Sequence, residues 1–180
     1  SEELIGWKFY FISQMYISSK ITSEFATWVD SKIQNIALKR KKCLILDLDN
    51  TLWGGVLGEE GINGIQIGGD YPGKAFLYFQ EALSALSKEG IILSVCSKNN
   101  EEDVFDAWEQ NPFMVLRKKD FVAIRINWND KASNIVELSK ELNIGLDSMV
   151  FIDDNPAERE LVKQTLPMVA VPDFPKQAYM

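Results

Sequence analysis

Four acidic residues, arranged as two close pairs, are best suited to chemistry in this sequence. Asp47 and Asp49 follow one apolar run, and Asp153 and Asp154 follow another. Period-two alternation would place Asp47 and Asp49 on one face of a strand. Two carboxylates so close repel one another unless a cation lies between them, and no basic residue adjoins them in sequence. Mg²⁺ is the natural cation, because it binds carboxylate, water and phosphate oxygens.

A hydroxyl, an amide and an ammonium group extend this pattern. Ser97 and Asn99 follow a third apolar run and precede a predicted helix, where phosphate oxygens are well received. Lys131 opens a later predicted helix. Taken singly, Ser97 could be a helix cap, Lys131 a solvated residue and each acidic pair an ordinary turn. Together, in chain order and at strand ends, they predict a site for a metal ion and a phosphate.

The elements that must position these residues alternate between strands and helices. The pattern predicts strands over 43–49, 91–97, 121–127, 149–154 and 168–171, and helices over 72–89, 99–109, 131–142 and 156–165. This alternation is typical of an open α/β sheet, in which ligands bind at the carboxyl ends of the strands. The Gly-rich stretch 55–71 predicts a hairpin flap and leaves no room for a cap domain. Trp53 and Trp128 either line the mouth of the site or pack in the interior.

Two regions differ in character. Residues 1–39 are predicted to form an N-terminal helical extension, or a linker from an upstream domain, and residues 40–180 the catalytic domain. The chain begins at Ser1 without Met and stops soon after Pro175, so we expect a piece of a longer protein.

Composition excludes several classes of function. The formal charge of −7 argues against nucleic acid or an anionic membrane as the main partner. No histidine is present, which removes Ser-His, Cys-His and His-metal mechanisms. Cys43 and Cys96 lie in apolar runs and are predicted to be reduced core thiols of a cytoplasmic protein. No apolar run approaches the roughly 18 residues of a membrane span.

The motifs resemble those of the haloacid dehalogenase (HAD) superfamily. The strings LDLDNTLWGG at 46–55, NWNDK at 127–131 and FIDDNPAE at 151–158 narrow the resemblance to the FkbH-like family of subfamily IIIC. It covers roughly residues 42–172. It implies an open three-layer, Rossmann-like α/β fold with a mainly parallel sheet and no large cap domain.

The resemblance also implies a role for each site residue. Asp47 would attack phosphorus, and Asp49 would act as general acid and then general base. Mg²⁺ would be bound by the Asp47 carboxylate, the Asp49 backbone carbonyl and Asp154. The residues that would bind or neutralise the phosphoryl group are Thr51, Ser97 and Lys131, and those that would support the site from behind are Asp153 and Asn99.

Three functions remain open on the sequence alone. The first is Mg²⁺-dependent phosphoryl transfer from a small or carrier-bound phosphorylated substrate. The second, implied by the resemblance, is glyceryl transfer from a phosphorylated glycerate to an acyl carrier protein through a thioester. That reaction needs an accessible thiol, and neither Cys43 nor Cys96 is well placed, so phosphoryl transfer is favoured. The third is a scaffold domain without activity, which the complete set of acids and Lys131 argues against.

Overall fold

A four-stranded parallel sheet is the centre of the fold. The computed structural model describes residues 41–174, so the predicted extension over 1–39 lies outside the described residues. The strands are β1 (Cys43–Leu46), β2 (Ile92–Ser97), β3 (Ala123–Ile126) and β4 (Met149–Ile152). Their order in the sheet is β3-β2-β1-β4, and every pairing is parallel. The predicted α/β class is confirmed.

Strand β1 lies between β2 and β4 and is buried on both faces. Cys43 pairs with Ile92 on one side and with Met149 on the other. Leu44 and Leu46 face one hydrophobic core, whereas Cys43 and Ile45 face the second. Because both faces are covered, the strand reads as a continuous apolar run instead of an alternating one.

Helices cover both faces of the sheet, which gives the predicted three layers. They are α1 (Leu57–Glu60), α2 (Gly73–Lys88), α3 (Glu101–Gln110), α4 (Lys131–Leu142) and α5 (Pro156–Thr165). Leu83 of α2 and Trp108 of α3 join the first core, and Ile135 of α4 and Val162 of α5 join the second. None of the helices described within residues 41–174 has the length and apolar character needed to span a bilayer.

Two helix starts that face the carboxyl edge of the sheet are capped by side chains. The Asp130 carboxylate accepts a hydrogen bond from the Ser133 backbone N–H at 2.8 Å, and the Asn155 side chain accepts one from Ala157 at 2.9 Å. These bonds satisfy backbone donors that a helix start leaves unpaired. They fix where α4 and α5 begin, and therefore where Lys131 and Asp154 lie.

Several predicted strands are shorter in the structure. Strand β1 ends at Leu46, three residues before the predicted end, and Asp47 is joined to the sheet only by its N–H bond to the Ile152 carbonyl at 3.0 Å. The turn that follows places Asn50 in the left-handed region at φ 53°. The predicted strand over 168–171 is wrong: it is one bridge between Val150 and Ala170.

The Gly-rich segment after β1 is only partly a hairpin. Gly54 and Gln66 exchange two antiparallel backbone hydrogen bonds, of 2.9 and 2.8 Å, at its base. The short helix α1, instead of two strands, occupies the tip. Gly54 is required at the base, because a Cβ there would lie 2.8 Å from the Phe76 ring. The segment is too small to form a cap domain over the sheet edge.

One buried side chain ties α2 to two loops, one after β1 and one before β3. Gln80 is fully buried, and its amide N–H donates to the Leu52 carbonyl at 2.8 Å. Its side-chain oxygen accepts from the backbone N–H groups of Val115 and Leu116, at 3.1 and 3.0 Å. Gln80 therefore pairs three backbone groups that have been removed from water.

Replacing Gln80 should destabilise the fold. Gln80→Leu keeps the volume but leaves those backbone groups unpaired, so we expect the free energy of unfolding to fall by about 2–4 kcal/mol. Urea denaturation measures this loss. Glu81→Ala, at the exposed neighbouring position, is the matched control. A loss of under about 0.5 kcal/mol for Gln80→Leu would show that these bonds are not needed.

Candidate active site

An open cavity at the carboxyl edge of the sheet is lined by five of the predicted residues, together with their neighbours. Its volume is about 320 Å³. It is lined by residues from the ends of β1, β2 and β4 and from the starts of α4 and α5: Asp47, Asp49, Asn50, Ser97, Lys98, Lys131, Asp154, Asn155, Pro156 and Glu158. This is where parallel α/β sheets bind ligands, because the strand ends and the helix N-termini meet there.

Lys131 is buried between two carboxylates. Its Nζ lies 3.0 Å from Asp47 Oδ1 and 2.5 Å from Asp153 Oδ2. Burial disfavours the charge on Lys131, but the two acids outweigh burial and raise its pKa. Lys131 is therefore a permanent cation beside the predicted nucleophile. The structure brings Asp47 and Lys131 together as the sequence predicted.

Asp49 is held by three hydrogen-bond donors. Its Oδ1 accepts from Trp53 Nε1 at 2.9 Å and from the Leu57 N–H at 3.0 Å. Its Oδ2 accepts from Asn99 Nδ2 at 3.0 Å. Asn99 also donates to Ser97 Oγ at 3.3 Å, so it links the acid to the predicted phosphate ligand. These contacts fix the orientation of the Asp49 carboxylate at the cavity wall.

Three acids form a cluster that fits a hard divalent cation. Carboxylate oxygens of Asp47, Asp153 and Asp154 all lie within 4.8 Å of one another. Burial, and then the charge of Asp47, raises the pKa of Asp153 to about 6 and also raises that of Asp154. Asp47 Oδ1 is buried and, despite its proximity to Lys131, has no well-aligned hydrogen bond. Negative charge exceeds positive charge here, and oxygen ligands suit Mg²⁺.

Asp153 and Asp154 have different surroundings, although they are neighbours in sequence. Both oxygens of Asp153 are engaged, one by Lys131 and the other by the Asn155 N–H at 2.8 Å. Asp153 is fully buried, whereas Asp154 lines the cavity. This placement favours the predicted division, with Asp154 as the direct metal ligand and Asp153 behind it. The Asp49 carboxylate is not in the cluster, so its predicted contribution is limited to its backbone carbonyl.

Arg159 was not predicted, yet it holds this loop. Its Nη1 donates to the backbone carbonyls of Asp153 and Asp154, at 2.8 and 2.6 Å. A basic residue in the first turn of α5, close in sequence to two acids, was the available signal. Its partners are backbone carbonyls, which a sequence pattern does not reveal.

Thr51 lies next to the loop that carries Asp154. It is fully buried and does not line the cavity. Its Oγ1 accepts a hydrogen bond from the Asp154 backbone N–H at 3.2 Å. Thr51 therefore supports the loop that carries Asp154, and its contact with phosphate stays a prediction.

Of the two tryptophans, Trp53 packs in the interior and Trp128 lies at the surface outside the cavity lining. Trp53 is fully buried and serves as a donor to Asp49. Trp128 is 71% exposed, and its Nε1 donates to Asn100 Oδ1 at 3.3 Å, near the end of β2. Neither residue lines the cavity.

Both cysteines are buried, as predicted. Burial raises the pKa of Cys43 to about 11, partly offset by its hydrogen bond with Ser94. Burial raises the pKa of Cys96 to about 12, although Lys131 opposes that shift. Neither cysteine lines the cavity. At neutral pH both are protonated thiols without access to a substrate.

Solved structures with the same fold include enzymes of a known class. The N-terminal part of a Bacteroides fragilis protein, which contains a phosphatase domain and is complexed with Mg, is 51% identical with a TM-score of 0.77. The match covers 82% of this chain and 40% of that one, so this chain spans less than half of its length. A HAD family enzyme from Bacteroides thetaiotaomicron, complexed with magnesium and inorganic phosphate, is 13% identical with a TM-score of 0.52. That match covers 75% of this chain and 94% of the enzyme.

A third structure has the same arrangement. It is a predicted HAD-like family hydrolase from Porphyromonas gingivalis, 10% identical with a TM-score of 0.50 over 73% of this chain and 89% of that one. The chain therefore has the fold of these HAD family proteins. Comparison with curated proteins gave no match.

A match to a family model identifies the family of the chain. The model for NLI interacting factor-like phosphatases matches residues 42–178, well over half of the chain. The chain belongs to the NLI interacting factor-like phosphatase family.

Metal binding at the acidic cluster should depend on pH. The pKa of Asp153 in the folded protein is about 6, above its ordinary value of 3.8. The metal-free protein therefore loses stability as pH rises from 3.8 to about 6, because ionised Asp153 is less favourable in the folded state than in the unfolded state. A bound cation offsets the unfavourable negative charge of the cluster, but below pH 6 it must compete with protons for the carboxylates. We expect Mg²⁺ to bind roughly tenfold more weakly at pH 5 than at pH 7.5.

Isothermal titration with Mg²⁺ at the two pH values measures the effect. Asp154→Asn should remove most binding at both, which ties the signal to the cluster. Equal affinities at pH 5 and pH 7.5 would contradict the proton competition.

Proposed function

We propose that this chain is a Mg²⁺-dependent phosphatase that acts through Asp47. The observation that carries the proposal is the position of the Asp47 carboxylate: at the cavity wall, 3.0 Å from the Lys131 ammonium and within the acidic cluster. A carboxylate next to a fixed cation and a metal site can approach an anionic phosphoryl group that would otherwise repel it. Family membership supports this reading.

The first step joins the phosphoryl group to Asp47. A carboxylate oxygen of Asp47 attacks phosphorus, the bond from phosphorus to the ester oxygen breaks, and Asp49 gives its proton to the leaving alcohol. Lys131 offsets charge on Asp47 and on the phosphoryl oxygens. Ser97, at the end of β2, binds the phosphoryl group. In the second step, Asp49 takes a proton from water, which attacks phosphorus and releases inorganic phosphate from Asp47.

The metal completes the charge balance. Asp47, Asp154 and the Asp49 backbone carbonyl would hold Mg²⁺, which supplies electrostatic stabilisation of the phosphoryl oxygens. Asp153 orients Lys131, and Thr51 and Arg159 hold the loop that carries Asp154. These assignments agree with the partners that each side chain has in the structure.

The finer family and the domain division are part of the same proposal. The motif strings support an FkbH-like member of subfamily IIIC, with an extension over 1–39 and a catalytic domain over 40–180. The open cavity would admit a small phosphorylated substrate or one attached to a carrier. A cytoplasmic location is favoured by two unpaired, buried thiols.

Replacing the nucleophile should abolish turnover. Asp47→Asn retains size but loses the attacking carboxylate, so we expect hydrolysis of p-nitrophenyl phosphate with Mg²⁺ to fall by at least about 10³-fold. Asp106→Asn, an exposed acid on α3, is the matched control. Activity within a few-fold of the unmodified protein in Asp47→Asn would overturn the assignment.

Transfer of an acyl group through a thioester is not favoured by the cysteines. Cys96 is fully buried and its Sγ approaches the Lys131 carbonyl at 3.8 Å, so it faces the helix layer. We expect no thioester label on this protein after incubation with a labelled glyceryl phosphate donor, and no difference in Cys96→Ala. Label that disappears in Cys96→Ala would establish acyl transfer, and an acyl carrier protein would then be the candidate acceptor.

A further inference from the structure

Lys98 is a cation of the cavity wall that the proposed reaction does not use. It follows Ser97 directly, and its Nζ lies 2.6 Å from Glu158 Oε1 in α5. Lys98 follows β2 and Glu158 follows β4, and these strands flank β1 in the sheet. The ion pair therefore connects the two sides of the cavity around the strand end that carries Asp47.

The two lysines of the cavity wall differ in their freedom. Lys131 is 4% exposed in its side chain and is committed to Asp47 and Asp153. The Lys98 side chain is 36% exposed and has one hydrogen-bonded partner among the described residues. An exposed ammonium group on a flexible stem can exchange one carboxylate for another at little cost. Lys98 is therefore the cation of the wall that can reach a group beyond the phosphoryl position.

Glu158 contacts Lys98 at the position that a carboxylate of a substrate could take. One of its oxygens contacts Lys98, whereas the other is buried without a hydrogen-bond partner among the described residues. A carboxylate half-satisfied in this way is not in its best environment. A carboxylate on the substrate would replace it at Lys98 like for like.

We propose that Lys98 selects phosphate esters whose alcohol part carries a carboxylate. The inference rests on the proposed phosphatase function and adds the substrate class to it. The substrate carboxylate takes the place of Glu158 at the Lys98 ammonium, while the phosphoryl group lies near Asp47, Ser97 and Lys131. Lys98 is a specificity residue in this scheme, because it contacts the leaving group and not the reacting atoms.

Two substrates that differ by one carboxylate provide the test. O-phosphoserine and phosphoethanolamine share the phosphate, the chain and the amine, so the ratio of their kcat/KM values reports recognition of the carboxylate. The 180-residue chain should prefer O-phosphoserine by about two- to fivefold, as expected for one partly exposed charge pair. Lys98→Met should bring this ratio close to one, mainly through KM, and Lys98→Arg should retain most of the preference.

Two further variants separate the outcomes. Glu158→Gln weakens the competing partner and should raise the ratio, whereas Lys119→Met, at an exposed site, should leave it unchanged. A ratio near one in the unmodified protein, or a ratio that Lys98→Met does not change, would overturn the inference while p-nitrophenyl phosphate turnover leaves the phosphatase function standing. Loss of turnover on all three esters would overturn both.

Discussion

The buried contact of Lys131 with Asp47 and Asp153 is the constraint on which the site depends. Asp47 follows β1, Asp153 follows the adjacent strand β4, and Lys131 opens α4, so one ammonium group connects three elements at 3.0 and 2.5 Å. A cation at a helix start opposes the helix dipole, so α4 alone gives no reason for a lysine there. The lysine is tolerated because its attraction to two buried acids outweighs its repulsion from the helix dipole. Such a conflict between local preference and tertiary contacts is typical of a functional position.

The site has an excess of negative charge. One ammonium group cannot neutralise Asp47, Asp153 and Asp154 together. Burial, and then the charge of Asp47, therefore raises the pKa values of Asp153 and Asp154. A divalent cation held by these acids would balance that excess and create a local field that attracts phosphate, although the chain as a whole carries −7. The acidic composition and a substrate that is itself an anion are therefore compatible.

Sequence reasoning predicted the elements better than their ends. The boundaries of α4 and α5 were correct, because Asp130 and Asn155 are side-chain caps with a local signature. The predicted strand over 43–49 was too long, since period-two alternation cannot distinguish a strand from the extended loop that follows it. The region over 168–171 is apolar, but it makes one bridge, and the pairing partner of an edge segment is not written in its own residues.

In the site, too, some residues could be predicted from the sequence and others could not. Asp47, Asp49, Ser97 and Lys131 could be predicted because their types and spacing at strand ends are unusual for a fold without function. Thr51 and Arg159 could not be placed, because their partners are backbone groups of the loop that carries Asp154. Those bonds exist only once β1, β4 and α5 have come together. The residues proposed to perform chemistry thus leave a pattern in the sequence, whereas the residues that hold them in place are defined by tertiary structure.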